Sequence, residues 1–503
     1  MKKRFRTAGA CIPEKNYMVD ISGRINIIKE FIEHGDYFTI NRPRQYGKTT
    51  TLNELFKALK NEYVVIYTSF EGAGDDLFSS DESFCSRILG RFAFDTRMTD
   101  KESSELLLKY HKKGLKNFDE LSNAISDFIQ ETGKEAALLI DEVDKNSNSK
   151  VFLQFLGLLR NKYLARDAGE DITFKTVILA GVHDIKNLKL AIRDENEAGF
   201  NSPWNIAIDF NIDMSFPADE ICAMLESYSK DIGLSFDTYK ISGEINRLTN
   251  GYPYLVSRIC CLIDEQFDKN WTSAGVEEAA KYILDEKSPL FDDVIKNIDN
   301  NSDLKTVVSE MLFEGRRVSY SLDTFEKGII YGIFTKKNDS LAIHNELFEA
   351  RLYNFLLEQR HVIEMASPLF SVAKNQFIKD NKLDMERLLL KFQEFMYQEY
   401  RKSDEKFYEK HGRLLFLAYI RPIINGGGYY FVEPMTRENK RMDICITYGN
   451  EKHIVELKIW YGRQYEQDGV TQLAEYLDIQ KQKTGWLLTF GPAAQREKSA
   501  AGE

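Results

Sequence analysis

The stretch "DYFTINRPRQYGKTTTLNELFKALK", residues 36–60, decides how the first half of the chain is read. Tyr37 to Ile40 is a short β-prone run. Arg42 to Gly47 is a polar turn. From there Leu52, Leu55, Phe56 and Leu59 recur at helical spacing. The order is strand, loop, helix, with Gly47-Lys48-Thr49 at the junction. Free backbone N–H groups and the positive end of the helix dipole make such a junction an anion site. A lysine in the Lys48 position reaches the β- and γ-phosphates of a nucleotide, and a hydroxyl in the Thr49 position binds Mg²⁺. Arg44, Gln45, Tyr46, Gly47, Lys48, Thr49 and Thr50 are therefore the candidate nucleotide-binding residues. One departure stands out: Arg42 occupies the first glycine position of G-x-x-x-x-G-K-[ST].

A companion segment supports this reading. "AALLIDEVDK" (136–145) is an apolar strand that ends in Asp141 and Glu142. This is a Walker B pattern, with Asp141 in the Mg²⁺ shell and Glu142 orienting or activating the attacking water. A third strand, "TFKTVILAG" (173–181), leads to His183 or Asp184, where a residue could sense the γ-phosphate. Between them "VFLQFLGLLRNKYLARD" reads as an amphipathic helix carrying Arg160 and Arg166. Either arginine could reach a neighbouring subunit's γ-phosphate; a solvated helix end is the simpler reading. Alternating strands and helices over residues 36–215 imply a parallel sheet with helices on both faces. Its ligand is expected at the carboxyl ends of the strands.

Composition narrows the class. The chain has 503 residues, 43% of them hydrophobic, so several domains with real cores are expected. No apolar run approaches the roughly 20 residues of a membrane span, and no apolar signal-peptide core follows the basic start. Six cysteines, two of them adjacent at Cys260 and Cys261, suit a reducing cytoplasm better than a disulfide framework. The net charge of −11 leaves any nucleic-acid binding to a local basic patch.

Further along, residues 216–267 read as helices broken at Gly251 and Pro253, and "GIFTKKNDSLAIHN" (332–345) could be the β-wing of a winged helix, with "GRRVSY" (315–320) before it. Residues 366–408 read as a charged helical connector. The succession "FRTAGACIPEKNYM", "RPRQYGKTT", "LLIDEVD", "ILAGVHD", "SPWNIA" and "NGYPYLV" resembles the AAA-like (STAND/AAA-type) ATPase domains of prokaryotic proteins with a C-terminal nuclease-like domain. The resemblance implies ATP binding, a helical lid, a STAND-like module order and a prokaryotic or mobile-element origin; a homo-oligomer is the expected assembly. The expected domains are an ATPase core over 1–215, a lid over 216–289, a winged-helix-like segment over 290–365, and a connector with a nuclease-like domain over 366–503.

The last of these rests on "MDICITYGNEKHIVELKIW" (442–460), two β-branched runs around a turn. Glu456 and Lys458 share one face of the second strand, and Val455, Leu457 and Ile459 share the other. Burial explains the apolar face. The polar face needs another reason, because a buried acid or amine is costly unless paired or used. Asp443 followed by Glu456-x-Lys458 resembles the D…E-x-K arrangement of the PD-(D/E)xK nuclease superfamily, with Met442 in place of the usual proline. Two carboxylates supply the oxygens that Mg²⁺ or Mn²⁺ prefers, and the metal activates water and stabilises the phosphoryl transition state. Lys458 would position the nucleophile. The resemblance extends to Gln472 and Tyr476, a Q-x-x-x-Y pair on one helix face, and to an upstream acid, Glu409 or Glu405. The expected fold class is thus α/β multidomain, with a parallel-sheet P-loop core and a C-terminal nuclease fold. The expected activity is ATP hydrolysis joined to metal-dependent cleavage of nucleic acid, DNA favoured, in genome defence or DNA processing. The rival expectation is a STAND-like signalling or scaffold ATPase whose C-terminal domain binds without cutting.

Overall fold

The computed structural model describes residues 3–146, 149–182, 204–208, 210, 212–314, 322–337, 340–359, 374–379, 382–399, 409–424, 428–432, 443–449, 451–459, 463–480 and 482–490. The chain divides into two compact units. The first comprises Met1–Ser242, Gly251–Cys261 and Ile330–Gly332; the second comprises Gly243–Asn250, Leu262–Ile329 and Ile333–Glu503.

The first unit is built on a parallel sheet of β1 (Phe38–Asn41), β2 (Val64–Ser69), β3 (Ala136–Asp141) and β4 (Thr176–Gly181), in the order β1-β4-β3-β2. A single parallel bridge from Phe38 to Ile208 extends the order beyond β1. Every residue of β3 and β4 is buried, as expected of a parallel sheet covered on both faces. The covering helices are α1 (Ser22–His34), α2 (Lys48–Leu59), α3 (Asp81–Thr96), α4 (Lys101–His111), α5 (Phe118–Thr132) and α6 (Lys150–Asp167). Their starts are chemically marked. Ser80, Asp100, Asn117 and Ser149 each accept a hydrogen bond from a first-turn N–H, capping α3 to α6 in turn. The expected amphipathic character of α6 is exceeded: Val151, Phe152, Leu153, Phe155, Leu156, Leu158 and Leu159 are all buried, so its first half is enclosed around its whole circumference. Helices α7 (Ala218–Ile232), α8 (Thr238–Thr249) and α9 (Pro253–Glu265) follow. Gly251, at φ +70°, joins α8 to α9 so close to the Phe216 backbone that a Cβ would lie 2.4 Å from its carbonyl oxygen.

The second unit opens with α10 (Ser273–Asp285), α11 (Pro289–Asp299), α12 (Ser302–Glu314) and α13 (Leu322–Ile330). An antiparallel hairpin, β5 (Phe334–Lys337) and β6 (Ser340–Ile343), leads to α14 (Glu346–Gln359). Residues 315–320 lie outside those described. In the connector, a two-residue pair, β7 (Ile378–Lys379) and β8 (Lys382–Leu383), precedes α15 (Met385–Glu399). Next come α16 (Glu409–Ile424), β9 (Gly428–Val432), β10 (Ile444–Tyr448), β11 (Glu451–Ile459), α17 (Arg463–Gln480) and β12 (Trp486–Phe490). The sheet order is β12-β11-β10-β9. Strands β9, β10 and β11 are antiparallel, and β12 lies parallel to β11. Strand β11 is therefore internal, and β10 beside it is buried throughout.

Candidate functional site

The first constellation gathers at the carboxyl ends of β1 and β3. Gly47 adopts φ +84° and ends the loop at the first turn of α2, a conformation open to glycine at little cost. Two non-glycine residues here, Gln45 (φ +57°) and Glu142 (φ +55°), also hold left-handed backbones. Such conformations cost about 1 kcal/mol or more and persist where surrounding structure enforces them. Lys48 is buried and its Nζ donates to the carbonyl oxygens of Arg42 and Pro43, both at 2.9 Å. Burial lowers its pKa, opposed by the charges of Asp144, Glu142 and Asp141. The Thr49 hydroxyl donates to Asp141 Oδ2 at 2.8 Å, and the Glu142 N–H donates to Asp141 Oδ1 at 3.0 Å. Burial raises the carboxyl pKa of both Asp141 and Glu142, with the Asp141 charge adding to the shift at Glu142. Thr50 Oγ1 accepts from the Cys11 N–H at 3.1 Å, so the N-terminal segment covers the start of α2.

Arg42 shows how the departure from glycine is tolerated. Its guanidinium turns away from the loop, donates to the carbonyls of Phe210 (3.2 Å) and Ile212 (2.7 Å), and stands 5.2 Å from the Phe210 ring centroid. Three residues that sequence reasoning missed join the site. The Tyr67 hydroxyl bonds the Asp141 carboxylate. Asp144 Oδ2 accepts from the Val182 N–H at 2.6 Å, tying the Walker B turn to the end of β4. Tyr252 donates to the Arg44 carbonyl at 2.5 Å and meets the Tyr46 ring edge-on at 4.8 Å. Only Asp144, three residues after Asp141 in the acidic turn, left a signal in the sequence.

Arg166 lies elsewhere. Its guanidinium donates to the carbonyls of Phe174 (2.9 Å), Lys175 (2.7 Å) and Gly35 (2.7 Å), at the amino ends of β4 and β1. That is the opposite end of the sheet from Gly47: within its own chain the side chain clamps strand starts. Arg160 stands two turns earlier on α6, half-buried, and its Nε has no hydrogen-bond partner among the described residues. His183 and Asp184 lie outside the described residues.

The second constellation sits on β10 and β11. Their register pairs Ile444 with Val455; one step further sets Asp443 opposite Glu456, and residues directly opposite point to the same face. Asp443 Oδ2 accepts from the Leu457 N–H at 2.7 Å. Glu456 is 2% exposed, and its Oε1 meets Lys458 Nζ at 2.9 Å. Its Oε2 is buried and meets no side-chain partner among the described residues, while the Asp443 backbone also hydrogen-bonds the carboxylate. Burial and the Asp443 charge push the Glu456 carboxyl up to about 7, against the pull of Lys458. From α17, Gly469 closes over Lys458: a Cβ there would meet Lys458 Cγ at 3.0 Å. Tyr476 is buried, and its hydroxyl is pushed up to about 12 by burial and then by the charges of Glu456 and Asp443. The structure thus brings Asp443, Glu456, Lys458 and Tyr476 together. Gln472, one turn before Tyr476, is exposed. Glu409 begins α16, but its side chain, like all of Glu405, is outside what the structure describes. Among the described residues no group of three or more His, Cys, Asp or Glu side chains could hold a metal ion. Asp443 and Glu456 are a pair that could supply two carboxylate oxygens, and the orphaned Glu456 oxygen fits a cation.

With the sheet order, the Gly47–Thr49 turn and the Asp141–Glu142 strand end described, the family can be given. Residues 14–354 match the family described as AAA-like domain. The chain belongs to the AAA-like family. A search among curated proteins finds no match. Among solved structures, a Walker-type ATPase of Pyrococcus abyssi is 16% identical at a TM-score of 0.46, over 69% of this chain and 99% of that one. The ORC1 protein of Aeropyrum pernix, solved in complex with DNA, is 10% identical at 0.32, over 69% and 94%. The RuvB Holliday junction branch migration motor of Thermotoga maritima is 12% identical at 0.32, over 65% and 92%. At these values the likenesses say nothing of activity. The AAA-like match ends before the second constellation begins. No described helix is long and apolar enough to cross a membrane.

Proposed function

We propose that this AAA-like protein binds and hydrolyses ATP with Mg²⁺ at the first site and cleaves nucleic acid with Mg²⁺ or Mn²⁺ at the second. In the first site Lys48 and the α2 N-terminus take the β- and γ-phosphates, Thr49 and Asp141 hold the metal shell, and Glu142 orients the attacking water. Family membership and the Lys48–Thr49–Asp141–Glu142 geometry support that part. In the second, Asp443 and Glu456 hold the divalent cation, Lys458 steadies the attacking water or the phosphate charge, and Tyr476 lines the site with Gln472 at its rim.

The single observation that carries the cleavage reading is the buried, half-unsatisfied Glu456 carboxylate beside Asp443 and Lys458. A charge so placed is destabilising unless something pairs with it, and a divalent cation between two carboxylates both relieves it and supplies the chemistry of phosphodiester hydrolysis. The succession of helix, three antiparallel strands, helix and parallel strand supports a PD-(D/E)xK-like module. DNA is the favoured substrate, and a homo-oligomer the favoured assembly. The test is incubation of purified protein with plasmid, single-stranded DNA and RNA, with and without Mg²⁺, Mn²⁺ and ATP. Metal-dependent cleavage lost in Asp443→Asn supports the reading. Binding of nucleic acid without any cutting would favour the scaffold alternative.

A further inference from the structure

The proposed ATP reaction needs a positive charge at the γ-phosphate as the bond breaks. Among the described arginines, Arg166 clamps strand starts at the other end of its own sheet, and Arg42 is turned onto the Phe210 and Ile212 carbonyls. The nucleotide loop contains a second arginine. Arg44 is the third residue of the six that run from Arg42 to Gly47, and its side chain is exposed. Its main chain is held firmly. The Tyr252 hydroxyl donates to its carbonyl at 2.5 Å. The neighbouring Tyr46 ring lies edge-on against Tyr252, which is itself fully buried. On the other side Pro43 packs so closely on Gly332 that a Cβ there would meet its Cγ at 2.6 Å. The Gln45 backbone is locked at φ +57°. The root of the Arg44 side chain is thus fixed on both sides, and the side chain it carries is exposed. Its charge is also one of those acting on Lys48, which puts it near the ammonium that meets the β- and γ-phosphates.

We propose that Arg44 is a catalytic residue that stabilises the γ-phosphoryl transition state from within its own chain, with Tyr252 as the positioning residue that sets its backbone. The inference rests on the ATPase reading given above. The water oxygen forms a bond to the γ-phosphorus as the bridging P–O bond breaks. The bridging electron pair leaves on the β-phosphate of ADP, and the water's proton passes to the Glu142 carboxylate. Arg44 N–H groups donate to the γ-phosphoryl oxygens, where charge builds up as the bond breaks. A bidentate guanidinium matches that geometry better than a lysine ammonium does.

The experiment compares full-length wild type, Arg44→Ala, Arg44→Lys, Tyr252→Phe and Lys48→Ala by labelled ATP binding, steady-state hydrolysis, and retention of ADP with aluminium fluoride. Arg44→Ala is expected to bind ATP within about 3-fold of wild type, lose about 10²-fold or more in kcat, and fail to retain ADP–aluminium fluoride. Arg44→Lys should recover only part of kcat. Tyr252→Phe should lower kcat while leaving KM nearly unchanged. A mixture of Arg44→Ala with Lys48→Ala should regain nothing, because the arginine acts in cis. Turnover within about 3-fold of wild type in Arg44→Ala, or recovery of activity on mixing, overturns the proposal while the ATPase reading stands. A wild-type chain that binds no ATP overturns both.

Discussion

Each of the two sites sets a lysine beside a buried acid, on separate elements in the first and on one strand in the second, yet their state of completion differs. At the P-loop, Lys48 is held by two carbonyls, and Asp141 accepts from Thr49, from the Glu142 backbone and from Tyr67. Polar groups are arranged before any ligand arrives, as suits a polyanion that brings its own charge and metal. On β11, Glu456 has one oxygen against Lys458 and, among the described residues, no side-chain partner for the other, with the Asp443 backbone also bonding the carboxylate. On the proposed reading, that site is completed when a cation enters. A satisfied buried carboxylate serves as scaffold, whereas a half-satisfied one points to a missing partner.

The largest expected contrast lies between the two lysines. Lys48→Ala is predicted to weaken ATP by about 100-fold or more, because charge-assisted contacts to phosphate are lost; labelled-ATP titration reads this. Lys458→Ala should instead keep Mn²⁺ binding, since the lysine competes with metal for Glu456, while cleavage falls by about 10². Loss of Mn²⁺ binding in Lys458→Ala would break the contrast.

The next effect is pH dependence. Mn²⁺ must displace a proton from Glu456, whose carboxyl is pushed up to about 7. Below that pH the affinity should fall by up to about tenfold per unit, and above it level off. Calorimetric titration from pH 5.5 to 8.5 checks it; a flat profile would show that Glu456 is no ligand.

The same shift predicts a stability change of opposite sense to an ordinary surface acid. The folded pKa of Glu456 is above its unfolded value near 4.5, so the folded state binds more protons between about 4.5 and 7. Stability is lost as pH rises through that window and stays low above it. Without metal at pH 8, Glu456→Gln should therefore gain about 1–3 kcal/mol, measured by urea unfolding. A loss would mean that the carboxylate is better paired than the geometry indicates.

The smallest expected effect on activity concerns Arg166. Arg166→Ala should lower stability by about 2–3 kcal/mol through the lost carbonyl bonds, with ATPase kcat within about 2-fold of wild type. A large fall in kcat with unchanged thermal stability would restore its role as a finger.

Much of the P-loop unit was legible in the sequence because its strands are continuous apolar runs and its turn has a fixed chemistry. "AALLID" is buried at every residue, and the Gly47–Thr49 turn opens a helix as read. The polar face of β11 was legible too, since alternation alone puts Glu456 with Lys458. What the sequence hid is set by contacts between distant segments. Arg42 fits the glycine position only because Phe210 and Ile212 offer it carbonyls. Arg166 reads as a helix-end arginine until Gly35 and Phe174 are brought beside it. Tyr67 carries no local signal, and Tyr252, inside the "NGYPYLV" of the resemblance, gives no local sign of its contact with the loop. Gln472 and Tyr476, four apart, share a helix face as expected, but one is exposed and the other buried, because a stripe has a rim as well as a centre.

The central claim is that Asp443 and Glu456 complete a cation site that cuts nucleic acid. It is tested most directly by following Mn²⁺ binding calorimetrically and plasmid cleavage in parallel for wild type, Asp443→Asn and Glu456→Gln. The account predicts that wild type binds Mn²⁺ and cuts only in its presence, and that each variant remains folded while losing both. Cleavage by either variant at the wild-type rate would contradict it.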